Sequence, residues 1–132
     1  MAKIIIASGP VIVEDGKVLL NKHGDTEFWK FCGGRVEDFD IDLQEAARRE
    51  VKEEMGIGIK VIDHEPFITH AVKETPAGKL DVILVHYLAE RIGEIKPGAD
   101  IREWKWLPLE DLQGEKLGPN IIPALRHFNF LE

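Results

Sequence analysis

Apolar and polar residues alternate with two different periods along the chain, and the change of period divides it into elements. Lys3–Val13 is rich in Ile and Val and reads as a strand, bent near Gly9 and Pro10. Asp15-Gly16, inside "EDGK", marks a hairpin turn, and Val18–Lys22 returns as a second strand. After the loop "HGDTE" comes a short aromatic strand, Phe28–Phe31, which leads into Gly33 and Gly34. Arg35–Ile41 reads as loop. The period then becomes helical. Asp42 fits an N-cap with Glu45 three residues on, which predicts a capping box, a helix over Leu43–Met55 and Gly56 as its C-cap. Ile57–Ile68 is mainly strand with a break near Glu65 and Pro66. "KETPAGK" is loop, Leu80–Ala89 and Ile101–Leu107 are strands, and Ile92–Asp100 connects them. Pro108–Leu112 is a turn or short helical piece, "GEKLGPN" is loop, and Asn120 caps a last helix over Ile121–Phe128. This order is α+β, a mixed sheet with helices packed on it, rather than the regular alternation of a doubly wound sheet.

The Leu43–Met55 helix carries the unusual charge. At about 100° per residue, Glu50 and Glu54 fall within about 20° of Leu43 and share their stripe with Ala46, Ala47 and Val51. Glu45, Arg48 and Lys52 take the opposite, wet side. Glu50 and Glu54 repel each other one turn apart, Glu53 and Glu54 sit at the anion-disfavouring helix end, and the stripe faces packed residues. A divalent cation would offset all three costs; a solvated charge face, with Arg49 pairing to Glu45 or Glu53, is the other reading. Mg²⁺ suits such a set because it takes oxygen ligands, and the paired glycines allow a backbone carbonyl to approach.

The stretch "REVKEEMGI", Arg49–Ile57, preceded by Gly34, resembles the signature of the Nudix, or MutT-like, hydrolases. The likeness extends to "FWKF" and to "REWKWLPLEDL" and implies a single Nudix domain over residues 1–132. It also implies an α/β/α sandwich: a mixed, curved sheet with helices on both sides. By position it makes Glu50, Glu53 and Glu54 metal ligands, with a carbonyl of Gly33 or Gly34, and makes Arg49 the arginine that orients them. Glu103 resembles a later glutamate that serves as an extra ligand or base. The catalytic set is then Glu53, Glu50, Arg49 and Glu103. Arg35, Phe28, Trp29 and Trp104 are the candidates for contacting substrate. One residue is inserted between Gly34 and Arg49, so either Asp40 or Ile41 falls at the signature's first glutamate. Cys32 stands where proline is common.

The implied activity is hydrolysis of a nucleoside diphosphate linked to another moiety, by water attack at phosphorus. Two or more Mg²⁺ ions, with Mn²⁺ as substitute, would neutralise substrate and carboxylates. The NTP, ADP-ribose and dinucleoside polyphosphate types all stay open. The rival readings are a Nudix-fold binding or regulatory module without catalysis and, further off, a prenyl-diphosphate isomerase. The net charge of −7 argues against a duplex nucleic-acid footprint. No run approaches the length of a membrane span, and one cysteine makes a cytoplasmic setting the default. The five histidines show no zinc-ligand spacing. The oligomeric state, a homodimer included, stays open.

Overall fold

The computed structural model describes residues 3–37 and 42–132. Strands β1 (Lys3–Val11), β5 (Gly34–Arg35), β6 (Gly58–Val61), β7 (Phe67–Thr75) and β8 (Gly78–Ile92) make one mixed sheet. In it β1 runs parallel to β8, and the other pairings are antiparallel. Strand β8 is 15 residues long and serves two neighbours on one edge, β7 along its first part and β6 along its last. Strands β2 (Val13–Glu14), β3 (Lys17–His23), β4 (Lys30–Phe31) and β9 (Ile101–Pro108) make a second, antiparallel sheet.

Two helices cover these sheets from opposite sides, and the strand alternation shows why. Ile12, Leu19 and Cys32 face the core under α1 (Leu43–Met55), together with Ala47, Val51 and Met55. Their chain neighbours Val11, Val18, Leu20 and Phe31 face a second core under α2 (Ile121–His127), with Ile121, Ala124 and Leu125. Side chains of successive strand residues point to opposite faces, so strands apolar at every position must be covered twice. The α+β layering with helices on both sides is therefore built into the Val-Leu-Leu and Val-Ile runs.

Several boundaries differ from the sequence reading. The chain leaves the first sheet at Ile12, not at Gly9-Pro10: β1 ends at Val11 and β2 begins at Val13. Gly9 instead allows close packing, because a Cβ there would lie 2.0 Å from the Cys32 carbonyl oxygen. "KETPAGK" is a hairpin and not a loop, with Thr75 paired to Gly78 and only Pro76-Ala77 turning. The Asp15-Gly16 turn forms as read, with positive φ at both residues.

The helix caps are half right. Asp42 Oδ1 accepts from the Glu45 N–H at 2.8 Å, but the Glu45 carboxylate pairs with Arg48 instead of closing the box. Gly56 caps α1 in the left-handed region. Asn120 precedes α2 but makes no side-chain cap; its amide lies 2.8 Å from His86 Nε2. A buried polar partner nearby outweighed the helix terminus.

Candidate active site

The last two turns of α1 lie against the glycine loop and β3. Glu54 Oε1 accepts hydrogen bonds from Asn21 Nδ2 at 2.7 Å and from the Gly33 N–H at 3.0 Å. Gly33 delivers that N–H from a conformation, φ 137°, that other residues rarely adopt, with Ser8 backbone where a Cβ would be. Gly34 gives up its side chain to Glu50: a Cβ there would stand 2.4 Å from Glu50 Oε2. The double glycine is thus a cradle for two carboxylates one helical turn apart.

Arg49 Nη2 reaches Glu50 Oε1 at 3.3 Å, and the Glu50 side chain is only 18% exposed. Burial pushes the Glu50 carboxyl above its usual range; the Arg49 guanidinium pulls against that shift, and the charges of Glu53 and Glu54 add to it. Glu53 is exposed. All three glutamates line one cleft of about 240 Å³ with Gly34 and Arg35.

The opposite wall comes from the connection before β9. The Lys96 and Gly98 N–H groups donate to the carbonyls of Met55 and Glu54, so this loop satisfies the end of α1 and is held against it. Gly98 is needed there, since a Cβ would lie 2.9 Å from the Glu53 carbonyl oxygen. Asp100 and Ile101 follow into the cleft wall, and His23 at the end of β3 closes it.

Of the residues singled out from the sequence, Glu50, Glu53, Glu54, Gly34 and Arg35 meet in this cleft. Gly33 and Arg49 support it by bonds to Glu54 and Glu50. Four others do not line it. Glu103 is opposite Lys22 in the β3–β9 ladder and lies 3.7 Å from Lys22 Nζ and from Arg102 Nε. That register puts it on the α2 side, away from Asn21 and the carboxylates. Trp29 is buried, with the ammonium groups of Lys22 and Lys105 each 4.5 Å from the ring centre and Nε1 donating to Glu115 at 3.2 Å. Phe28 is exposed beside Gly118. Trp104 is opposite Asn21, hence on the α1 side of β9, and is 38% exposed. Asp40 and Ile41 lie outside the described residues.

The structure adds Asn21, His23, Lys30 and Asp100. Leu19, Asn21 and His23 alternate on one face of β3, so a polar residue at a core position was readable in the pattern. Lys30, a charge inside "FWKF", was the other such signal.

Among the described residues, no three His, Cys, Asp or Glu side chains converge closely enough to hold a metal ion. Glu54 is drawn inward to Asn21 and Gly33, and Glu50 leans to Arg49. The donors themselves suit a hard divalent cation: they are carboxylate oxygens, the charges of Glu53 and Glu54 bear on Glu50 against the pull of Arg49, and Asn21 Oδ1 is buried with no partner among the described residues. The set fits Mg²⁺ or Mn²⁺ once Glu54 or Glu50 loosens its bonds to Asn21, Gly33 or Arg49. No helix among the described residues is long and apolar enough to cross a membrane.

The NUDIX domain family model matches residues 4–128. Among solved structures, the chain is similar to the ORF135 protein of E. coli, at 27% identity and TM-score 0.68, covering 96% of this chain and 89% of that one. It is similar to the MutT protein of Methanosarcina mazei Go1, at 26% identity and TM-score 0.68, covering 97% and 94%. It is also similar to an ADP-ribose pyrophosphatase of Streptococcus suis 89-1591, at 25% identity and TM-score 0.66, covering 92% and 87%. No curated protein sequence matches the chain.

Proposed function

The chain belongs to the Nudix family, and from that premise we propose that residues 1–132 form one hydrolase domain acting on a nucleoside diphosphate linked to another moiety. The observation that carries this reading is the gathering of Glu50, Glu53, Glu54, Gly34 and Arg35 in one cleft. An acidic cleft admits a polyanion only with cations present. Bound Mg²⁺ or Mn²⁺ supplies that neutralisation and lowers the pKa of water.

The chain's own residues then take these roles. Glu50 and Glu54, with Glu53 and the glycine backbone, hold the cations. Arg49 steers Glu50 through their 3.3 Å contact. Arg35, exposed on the cleft wall, meets phosphate oxygens. Glu53 is the favoured base: it faces the cleft and is exposed, whereas Glu54 is tied down by two donors. Water oxygen bonds to phosphorus, the bridging P–O bond breaks, the departing phosphate keeps the electron pair, and the proton passes to the carboxylate. Asp100, also in the cleft, is the second candidate, and it replaces Glu103 in the loop-acid role. The substrate is a small nucleotide derivative; relatives named MutT and ADP-ribose pyrophosphatase stand at nearly equal identity, so neither name selects it. The single, buried Cys32 accords with a reducing, cytoplasmic setting.

A second reading, a Nudix-fold nucleotide-binding module without catalysis, draws support from the inward turn of Glu54. A hydrolysis screen over nucleoside triphosphates, ADP-ribose and dinucleoside polyphosphates, with Mg²⁺ or Mn²⁺ and beside E53Q and E54Q, separates the two. Metal-dependent turnover in the parent that falls about a hundredfold or more in both variants supports the hydrolase. No turnover with any substrate, or equal turnover in parent and variants, sinks it.

A further inference from the structure

Lys30 adjoins the acidic cleft through His23 and has no ion-pair partner among the described residues. Its strand, β4, pairs with β3 so that Lys30 is opposite Asn21, on the face where Asn21 reaches Glu54. Its Nζ stands 3.1 Å from Nε2 of His23, a cleft-lining residue. Among the described residues, no carboxylate lies within 4.0 Å of Lys30 Nζ, although the charge of Glu54 acts on it. Glu54 meanwhile takes its hydrogen bonds from neutral donors. A structural counter-ion to Glu54 would sit in contact with it; Lys30 does not.

The His23 contact fixes the chemistry further. An ammonium has only protons to offer, so His23 Nε2 accepts and the ring proton resides on Nδ1. His23 Nδ1 is itself buried and without a partner. The His23 Nδ1–H is thus a buried donor with no partner among the described residues, and it sits on the same ring that holds the Lys30 ammonium, which has no carboxylate in contact. Unpaired buried donors are costly, and they persist where a ligand supplies the acceptor. Burial pushes the Lys30 ammonium below its ordinary range while the Glu54 charge pulls it back up.

We propose that Lys30, held by His23, is a phosphate-binding residue: its ammonium contacts an oxygen of the substrate's diphosphate on the side of the cleft opposite Arg35. This rests on the diphosphate reading above. It gives the site a fixed point charge that does not depend on bound metal. The two cations then bracket the diphosphate, Arg35 from the exposed side and Lys30 from the buried side.

The test is isothermal titration of inorganic pyrophosphate, with Ca²⁺ present, into the parent, K30M and K30R, alongside titration of Mn²⁺ alone. Pyrophosphate binding should weaken about tenfold or more in K30M and recover largely in K30R. Mn²⁺ binding should stay as in the parent or tighten, because removing a cation beside Glu54 cannot loosen a metal there. On any substrate that turns over, the loss should fall on KM more than on kcat. Parent-like pyrophosphate binding in K30M overturns the proposal, and so does a loss of Mn²⁺ binding in step with pyrophosphate, which would make Lys30 a structural support only. If K30M fails to fold, H23F carries the test: it frees the ammonium without changing charge, and parent-like pyrophosphate binding there is equally fatal. A chain that hydrolyses nothing yet loses pyrophosphate binding in K30M keeps this inference and loses the hydrolase reading. Turnover with unchanged pyrophosphate binding does the reverse.

Discussion

Asn21 Nδ2 donates to Glu54 Oε1 at 2.7 Å across the gap between β3 and α1, while Asn21 Oδ1 is buried with no partner. Asn21 is fully buried, while Glu54 is half-buried at the wall of the cleft. The bond holds Glu54 inward, so Asn21 sets how easily that carboxylate turns to the cleft. Replacing Asn21 with Asp places a second buried carboxylate on Glu54. N21D should lose about 1–3 kcal/mol at pH 7. Because a cation between two carboxylates relieves the repulsion, Mn²⁺ should raise the melting temperature of N21D more than that of the parent. Thermal unfolding with and without Mn²⁺ checks this, and an equal Mn²⁺ effect on both proteins would refute it.

The two glycines of the cradle make opposite predictions. At Gly34 an added Cβ meets only the far end of the Glu50 side chain, which can swing aside. G34A should therefore fold with a stability within about 1 kcal/mol of the parent and yet lose most metal-dependent turnover, since Glu50 is displaced. At Gly33 the added Cβ meets Ser8 backbone, and φ is 137°. G33A should cost more than about 2 kcal/mol through strain. Denaturant unfolding of the two variants side by side gives the comparison; similar losses in both would contradict it.

What the sequence disclosed and what it hid follow from how local each feature is. The α1 boundaries, the Asp15-Gly16 turn and the clustering of Glu50, Glu53 and Glu54 depend on spacing within a few residues, and each is legible. The direction of Glu103 depends on the register of β9 against β3, including the irregularity between Lys22 and His23, which no local pattern specifies. Adjacent strand residues such as Glu103 and Trp104 always face opposite ways, and one residue of slip would exchange which of them faces α1. Asp100 enters the cleft because Lys96 and Gly98 bond to the end of α1, a contact between segments about 40 residues apart. Trp29 is a candidate stacking residue by type, and its burial beside Lys22 and Lys105 is a tertiary feature that no local pattern carries.

That register gives a test of the loop acid. Asp100 lines the cleft, whereas Glu103 pairs with Lys22 on the far face. D100N should lower turnover by about tenfold or more at pH 7, through loss of either a base or a charge facing the cations. E103Q removes only an exposed ion pair and should change turnover less than about twofold. Steady-state rates on the same substrate decide it. A larger loss in E103Q than in D100N would mean that β9 is displaced when substrate is bound.

His86 supplies a pH dependence separate from the cleft. It is buried, with Nδ1 3.2 Å from the Gly9 carbonyl oxygen and Nε2 beside the Asn120 amide. Burial lowers its pKa to about 4; the Gly9 carbonyl pulls the other way, and the Lys30 charge adds to the lowering. The folded protein thus keeps His86 neutral where the unfolded chain, near its ordinary 6.5, is protonated. With the folded pKa below the unfolded one, this contribution is complete above pH 6.5 and is lost as pH falls from 6.5 toward 4. At about 1.4 kcal/mol per unit of difference, the full loss is about 3.5 kcal/mol. Urea unfolding at pH 7.5 and pH 4.5 should show the parent losing more stability on acidification than H86Q, which keeps polar contacts but cannot titrate. Equal losses would assign the acid sensitivity to the carboxylates of α1 and leave His86 a neutral spacer between the sheet and α2.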